Sequence, residues 1–367
     1  MSDLFEAALA QLGRRHVGAT LGLVEADGST RVAGTGRMRL PDGPVPQADT
    51  IFEIGSITKT FTALLLAEAV VQGRVRLDTP VRDLLPSGST VPSRDGMEIT
   101  VEHLARHTSG LPHSPGHTGA GAVWRVLVRG DNPYAGVSSP VLLELLAGTT
   151  LRRTPGGGGM RYSNFGGGLL GTALVQLFGA PDYGTLVRQR VLIPLGLHDT
   201  YASPDPEQSA RSAQGHGFRR RPVPDWQLDG LAGAGALRST LSDLLTYLHA
   251  QLDPDATPLG PAILLTHELL EPSSRLTIGL GWIGSRSRSG RMYWHNGGTG
   301  GFRSFAGFLP ARCRAVAVLV NDRRGPDSVG MRLLDARPPT RLNPLRTAGP
   351  RSGRTGPRSA GDAPASR

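Results

Sequence analysis

The sequence predicts an α+β fold, an antiparallel sheet flanked by helices together with a mostly helical domain. Three observations carry that prediction. Strand-like runs are confined to the two ends of the chain, and the segment between them is broken into short helical pieces by Pro and Gly. The C-terminal strands follow one another across turn residues, as in an antiparallel meander. At 367 residues the chain has length for about two domains. The pattern divides it into a sheet domain from 1–80 and 231–335, a helical domain from 81–230, and a basic tail from 336–367.

Taken in order, residues 3–13 read as a short amphipathic helix, followed by two strand-like runs split by the turn signal "DGS", hence a hairpin. "TFTALLLAEAVVQG" is apolar nearly all round except at Glu68 and stops at Gly73, so it predicts a mostly buried helix. "TVEHLAR", "SSPVLLELLAG", "NFGGGLLGTALVQLFG" and "DYGTLVRQRVLIPLG" supply the helical middle. "STLSDLLTYLHAQL" opens on a Ser/Thr cap and predicts a helix over 239–252. "TIGLGWIG", "RMYWHN", "FRSFAGFLP" and "RAVAVLVND" are the meander, and beyond about Asp335 the Pro-, Gly- and Arg-rich tail is expected to be disordered.

The net charge of +10 says little about partners, because residues 331–367 hold eight Arg against two Asp. No basic run is interleaved with aromatics, so nucleic acid is not an expected partner. No stretch is long and apolar enough to span a membrane, and the acidic first residues do not resemble a secretory leader, so a cytoplasmic location is expected. Cys313, the single cysteine, excludes an intrachain disulfide. Its place in "CRAVAVLV" predicts a buried small hydrophobe rather than a nucleophile.

The chemistry starts from Lys59, the only lysine beside thirty-nine arginines. A guanidinium keeps its proton, whereas a buried ammonium can lose it and act as a base. Ser56 stands three residues earlier, at the start of the buried helix, so the two share one face. A serine there has backbone N–H groups and the positive end of the helix dipole nearby, and a neutral lysine can accept its proton. Tyr162 and Asn164 form a second element, two apart before a Gly-rich helix, where a phenol beside a cation can have a lowered pKa and an amide can hold a carbonyl. The third is "WHNGGTGGFRSF", a strand running into glycines whose N–H groups can donate to a developing oxyanion.

In this order and spacing the three elements resemble the serine β-lactamase and penicillin-binding protein superfamily, above all its class C β-lactamase and esterase/carboxypeptidase branch. The segments "IFEIGSITKTFTALLLAEAVVQGRVRLDTPV", "ITVEHLARHTSGLP", "RYSNFGGGLLG", "AGALRSTLSDLLTYL" and "HNGGTGGFRSFAGFLP" extend the likeness over about residues 15 to 335. The resemblance implies a β-lactamase/transpeptidase-like fold and a serine hydrolase working through an acyl-enzyme on small esters or amides, with no cofactor. Ser56 would be the nucleophile, Lys59 the proton acceptor or relay, Tyr162 the general base and acid, and Asn164 a substrate-orienting residue. His295, Asn296 and Gly297 would form the third motif, and the N–H groups of Ser56 and Gly298 the oxyanion hole.

Two departures qualify the likeness. His295 stands where the β-lactamases proper carry lysine, and a histidine of ordinary pKa is mostly neutral at pH 7. The C-terminal helix that usually closes the family's fold is reduced to "DSVGMRLLD", about two turns. A D-Ala-D-Ala carboxypeptidase or weak β-lactamase is the alternative within the family. A non-catalytic binding protein, using the basic tail, is the alternative outside it. His103, His107, His113 and His117 invite a metal reading, but Leu104 stands where a zincin needs glutamate, and "HTSGLP" reads instead as a helix stop. An α/β-hydrolase is disfavoured because no Gly-x-Ser-x-Gly elbow occurs.

Overall fold

A computed structural model describes residues 2–116, 129–203, 206–270 and 276–336. His117 and the tail from 337 onward lie outside them. Helix α1 (Ser2–Arg15) opens on Asp3 and closes on Arg14 and Arg15, charges that complement its dipole. Its Phe5, Ala8 and Leu12 recur on one stripe and are buried. The predicted hairpin follows as β1 (Gly18–Val24) and β2 (Thr30–Gly36). The Asp27 carboxylate makes the turn by accepting from the Ser29 N–H and O–H. A short strand β3 (Phe52–Glu53) and a 3-10 turn, Gly55–Ile57, then lead into α2 (Thr58–Val71). Every residue of α2 from Thr58 to Ala69 is buried, so this helix runs through the core. Its one acid, Glu68, is paired with Arg190.

The middle of the chain is helical as expected. Helix α3 (Val101–Ala105) starts on a capping box, in which Thr100 accepts from the His103 N–H and His103 Nδ1 accepts from the Thr100 N–H. Helix α4 (Asn164–Phe178) is capped by Ser163, whose Oγ accepts from the Gly166 N–H at 2.9 Å. Strand β4 (Arg238–Ser239) pairs with β3, and Thr240 caps α5 (Leu241–Leu252). The meander comprises β5 (Leu276–Ile278), β6 (Ile283–Ser287), β7 (Gly290–Gly298), β8 (Arg303–Leu309) and β9 (Arg314–Val320). The last helix, α6 (Asp327–Leu334), has eight residues, the two turns the sequence allows.

These strands make a seven-stranded sheet in the order β2-β1-β9-β8-β7-β6-β5. The first and last strands are neighbours, with Leu21 opposite Val318. Both are buried at every position because helices cover both faces of the sheet. On one face, Phe5 and Leu12 of α1 and Val329 and Leu333 of α6 pack over Leu21, Phe305 and Val318. On the other, a larger apolar cluster joins the sheet to α2, α5 and the helical middle. Short as it is, α6 therefore still closes the sheet.

Cys313 corrects the sequence reading. It is exposed, in a left-handed conformation (φ 44°) in the turn between β8 and β9. The apolar run that suggested burial enters the sheet only at Arg314.

Candidate active site

Ser56 lies in the 3-10 turn and Lys59 in the first turn of α2, so the helical backbone brings them together locally. Lys59 Nζ is 3.1 Å from Ser56 Oγ, 2.8 Å from Asn164 Oδ1 and 2.7 Å from the Ala234 carbonyl oxygen. The side chain is only 4% exposed, and burial pushes its pKa well below the ordinary lysine value. An ammonium has three N–H donors for three acceptors. A neutral amine has two donors and a lone pair, which fits the two carbonyl oxygens and a Ser56 hydroxyl that donates instead of accepting. Only the hydroxyl can exchange roles in this way. Proton transfer from Ser56 to Lys59 therefore leaves the same atoms in place.

Room for the lysine comes from α4. A Cβ on Gly167 would stand 3.0 Å from Lys59 Cε and 3.3 Å from Ala234 Cα, so the Gly-rich start of this helix admits the stem. The positive φ of Gly55 (+51°) also has a function. A Cβ there would sit 2.5 Å from the Gly298 nitrogen, so only glycine lets the Ser56 turn approach the end of β7. Ser56 and Gly298 both line a cavity of about 630 Å³, with Tyr134, Tyr162, Asn164 and Trp226.

Tyr162 and Asn164 reach this cavity from the N-terminal side of α4. Tyr162 lines the cavity with Ser56, whose side chain acts to lower the phenol pKa, and Lys59 Nζ lies over the phenol ring, 4.8 Å from its centroid. Burial drives the Tyr162 pKa upward, with only partial relief from Ser56. The expectation of a phenol with a lowered pKa is thus corrected: burial of the hydroxyl outweighs the opposing effect of Ser56, and burial also disfavours the charged form of the neighbouring Lys59. Asn164 opens the helix rather than lying on an extended segment. Its Oδ1 accepts from Lys59 and its Nδ2 donates to the Tyr134 hydroxyl at 2.8 Å.

Of the third motif, His295 is buried, with its ring 6.1 Å from that of Tyr162. Burial, aided by Lys59, lowers its pKa to about 3. The ring is accordingly neutral at any ordinary pH, a stronger statement than the sequence allowed. In an NMR titration the His295 resonance, assigned by its loss in His295→Gln, is expected not to move between about pH 5 and 8. A transition near histidine's usual value would contradict this. Asn296 is exposed and donates through Nδ2 to Asp327 Oδ1 at 2.6 Å. Gly297 is packed so closely against the Ile54 carbonyl that a side chain would collide.

Several site residues escaped the sequence. His107, read as a helix stop, does take the left-handed conformation of one (φ 57°). Its ring also stands 4.6 Å from Tyr162, and its Nδ1 accepts from the Ser163 N–H at 3.2 Å, fixing the segment that carries the phenol. His103, His107 and His113 belong to no metal-like cluster among the described residues. Tyr134 and the Ala234 carbonyl carried no sequence signal. Trp226 is held in the cavity wall by a bond from its backbone N–H to Glu53 Oε1, and Glu53 is in turn paired with Arg238. Glu53 and Arg238 are only 5% and 3% exposed. Glu53→Ala removes the nearer carboxylate from Arg238, leaving Asp225 at 3.6 Å, and takes the acceptor from the Trp226 N–H, and is expected to cost about 1–3 kcal/mol in a urea melt. A change below about 1 kcal/mol would show the pair to be dispensable.

The family model for beta-lactamase matches residues 3–337 of this sequence. The chain belongs to the β-lactamase family. Among its relatives is the D-alanyl-D-alanine-carboxypeptidase/endopeptidase AmpH of Escherichia coli (strain K12). That protein is 29% identical over 321 residues, covering 83% of this chain and 80% of its own. Penicillin-binding protein 4 of Amycolatopsis lactamdurans is 26% identical over 332 residues, covering 83% and 81%. A solved β-lactamase/D-alanine carboxypeptidase from Pseudomonas syringae superposes with a TM-score of 0.78 at 21% identity, over 92% of this chain and 99% of that one. A solved class C β-lactamase superposes with a TM-score of 0.77 at 22% identity, over 91% of this chain and 96% of that one, so this β-lactamase-family chain has the class C fold, in which the helical middle and the sheet meet at the Ser56 cavity. No helix among the described residues is long and apolar enough to cross a membrane.

Proposed function

We propose that this serine hydrolase acts on small esters or amides through an acyl-Ser56 intermediate. The observation that carries the reading is the single buried lysine in contact with Ser56 Oγ, its pKa driven down by burial. Lys59 takes the Ser56 proton as Oγ attacks the carbonyl carbon. The developing oxyanion is received by the N–H groups of Ser56 and Gly298. Tyr162, neutral because burial raises its pKa, gives its proton to the leaving group, and Lys59 restores it. Water then releases the acyl group by the reverse sequence.

The substrate preference rests on His295. With its pKa lowered to about 3, this residue supplies no cation for a carboxylate next to the scissile bond, which favours uncharged esters and amides there. The second reading, a D-Ala-D-Ala carboxypeptidase, is supported by what the Escherichia coli relative is named for. Turnover of a short-chain p-nitrophenyl ester, a chromogenic cephalosporin and a D-Ala-D-Ala peptide, compared by kcat/KM, separates the two. The ester is expected to be the best substrate by at least about tenfold. A peptide turned over faster than the ester would select the carboxypeptidase instead.

A further inference from the structure

We propose that the cleft continues past Arg323 into an arginine-walled hollow, which receives an anionic group carried by the substrate away from its scissile bond. The inference rests on the serine-hydrolase reading of the Ser56 cleft. The hollow, about 610 Å³, is lined by Arg15, Arg219, Arg220, Arg323 and Arg324, with Phe218 at its edge. Arg323 stands in the wall of both this hollow and the Ser56 cavity, so the two adjoin at this side chain.

The single acid in the hollow, Asp322, is turned inward. Its carboxylate accepts from His16 Nδ1 at 3.0 Å and from the N–H groups of Val17 and Arg324, each at 2.9 Å. Five arginines thus line the hollow against one carboxylate that the fold already uses, and Arg324 Nη1 donates to the Arg15 carbonyl oxygen at 3.1 Å. Such crowding of like charge opposes folding and is relieved by an anion.

The loop that presents two of these arginines is built rather than incidental. Its base is pinned by the His216 N–H, which donates to the carbonyls of Gly301 (3.2 Å) and Asn321 (3.0 Å). It is closed by the bond from the Gly217 N–H to the Arg221 carbonyl, 2.7 Å. Gly301 follows the Gly298 end of β7, so this loop is anchored beside the reacting centre. At its tip Arg219 and Arg220 both take left-handed backbone, φ 55° and 59°. Two successive non-glycine residues there are strained, and strain of this kind gathers at ligand-holding sites. The Arg219 guanidinium lies 5.4 Å from the Phe218 ring centroid, which limits its freedom.

Within the Ser56 cavity, Arg303 and Asp327 are committed to the fold. Arg303 Nη1 donates to the Thr299 and Phe302 carbonyls at 2.7 and 2.8 Å, and Asp327 accepts from Asn296. A planar guanidinium matches carboxylate and phosphate oxygens alike. The shared ligand chemistry is an oxyanion.

The test uses the full chain and three p-nitrophenyl esters of matched acyl length, ending in a methyl, a carboxylate or a phosphate group. The wild type is expected to favour at least one anionic ester over the neutral one by about tenfold in kcat/KM. That preference should fall as salt is added, and which anionic ester gains more identifies the source. Arg219→Asn with Arg220→Asn keeps residues that tolerate left-handed backbone. This double variant is expected to lose the preference, chiefly through KM, with the neutral ester unchanged. Equal rates for all three esters in the wild type, or an undiminished preference in the variant, would overturn the proposal. Labelling of Ser56 by a fluorophosphonate separates the two levels. A labelled enzyme that treats the esters alike sinks this proposal alone, whereas an unlabelled and inactive one sinks the hydrolase reading and this proposal with it.

Discussion

Ser56→Ala is expected to abolish ester turnover, by on the order of 10⁴-fold or more in kcat, while leaving the molecule folded. Loss of Oγ removes the only atom that Lys59, Tyr162 and the proposed oxyanion site address together. The fold has little stake in that atom. Ser56 is half-buried at the lip of the cavity, and Lys59 keeps its bonds to Asn164 and Ala234, both beyond Oγ. The melting transition should therefore shift by the equivalent of less than about 1 kcal/mol. Fluorophosphonate labelling should disappear with activity. Turnover within tenfold of wild type would mean that the nucleophile lies elsewhere.

Lys59→Arg is expected to lose about 10³- to 10⁴-fold, close to the full contribution of a general base. Both residues are cations in water, so the change tests the proton rather than the charge. Burial strips the proton from an amine but not from a guanidinium. Arginine is also larger, and Gly167 leaves the lysine stem only van der Waals room. To separate size from chemistry, Lys59→Met keeps the volume, removes the base, and should be about as inactive. An arginine variant retaining more than a tenth of the activity would refute proton transfer to this position. In the wild type the sign of the pH dependence follows from the lowered lysine pKa. Activity rises with pH as the ammonium loses its proton, and it falls in acid as the amine is occupied.

The local parts of this protein are legible in its residue order. The hairpin turn at Asp27, the Thr240 cap, the meander and the two-turn last helix all follow from periodicity and turn chemistry within a few residues. Ser56 and Lys59 belong with them, because a spacing of three on a helical segment is itself a contact. Tyr162 and Asn164 are legible as candidates only through their resemblance to a family, since no spacing rule joins them to a lysine more than a hundred positions away.

What sequence could not supply was each residue's environment. The phenol whose pKa was expected to fall has it raised, the histidine expected to be ordinary is held neutral by burial, and the cysteine expected inside is exposed. His107, taken for a helix stop, lies tilted against the phenol, and the third partner of Lys59 is a backbone carbonyl that any residue type would provide. Residue type and local order determined the helices, the strands and the serine–lysine pair, because they depend on neighbours along the chain. Protonation, exposure and the meeting of the three motifs were decided by tertiary structure, because desolvation sums over every segment packed around a group.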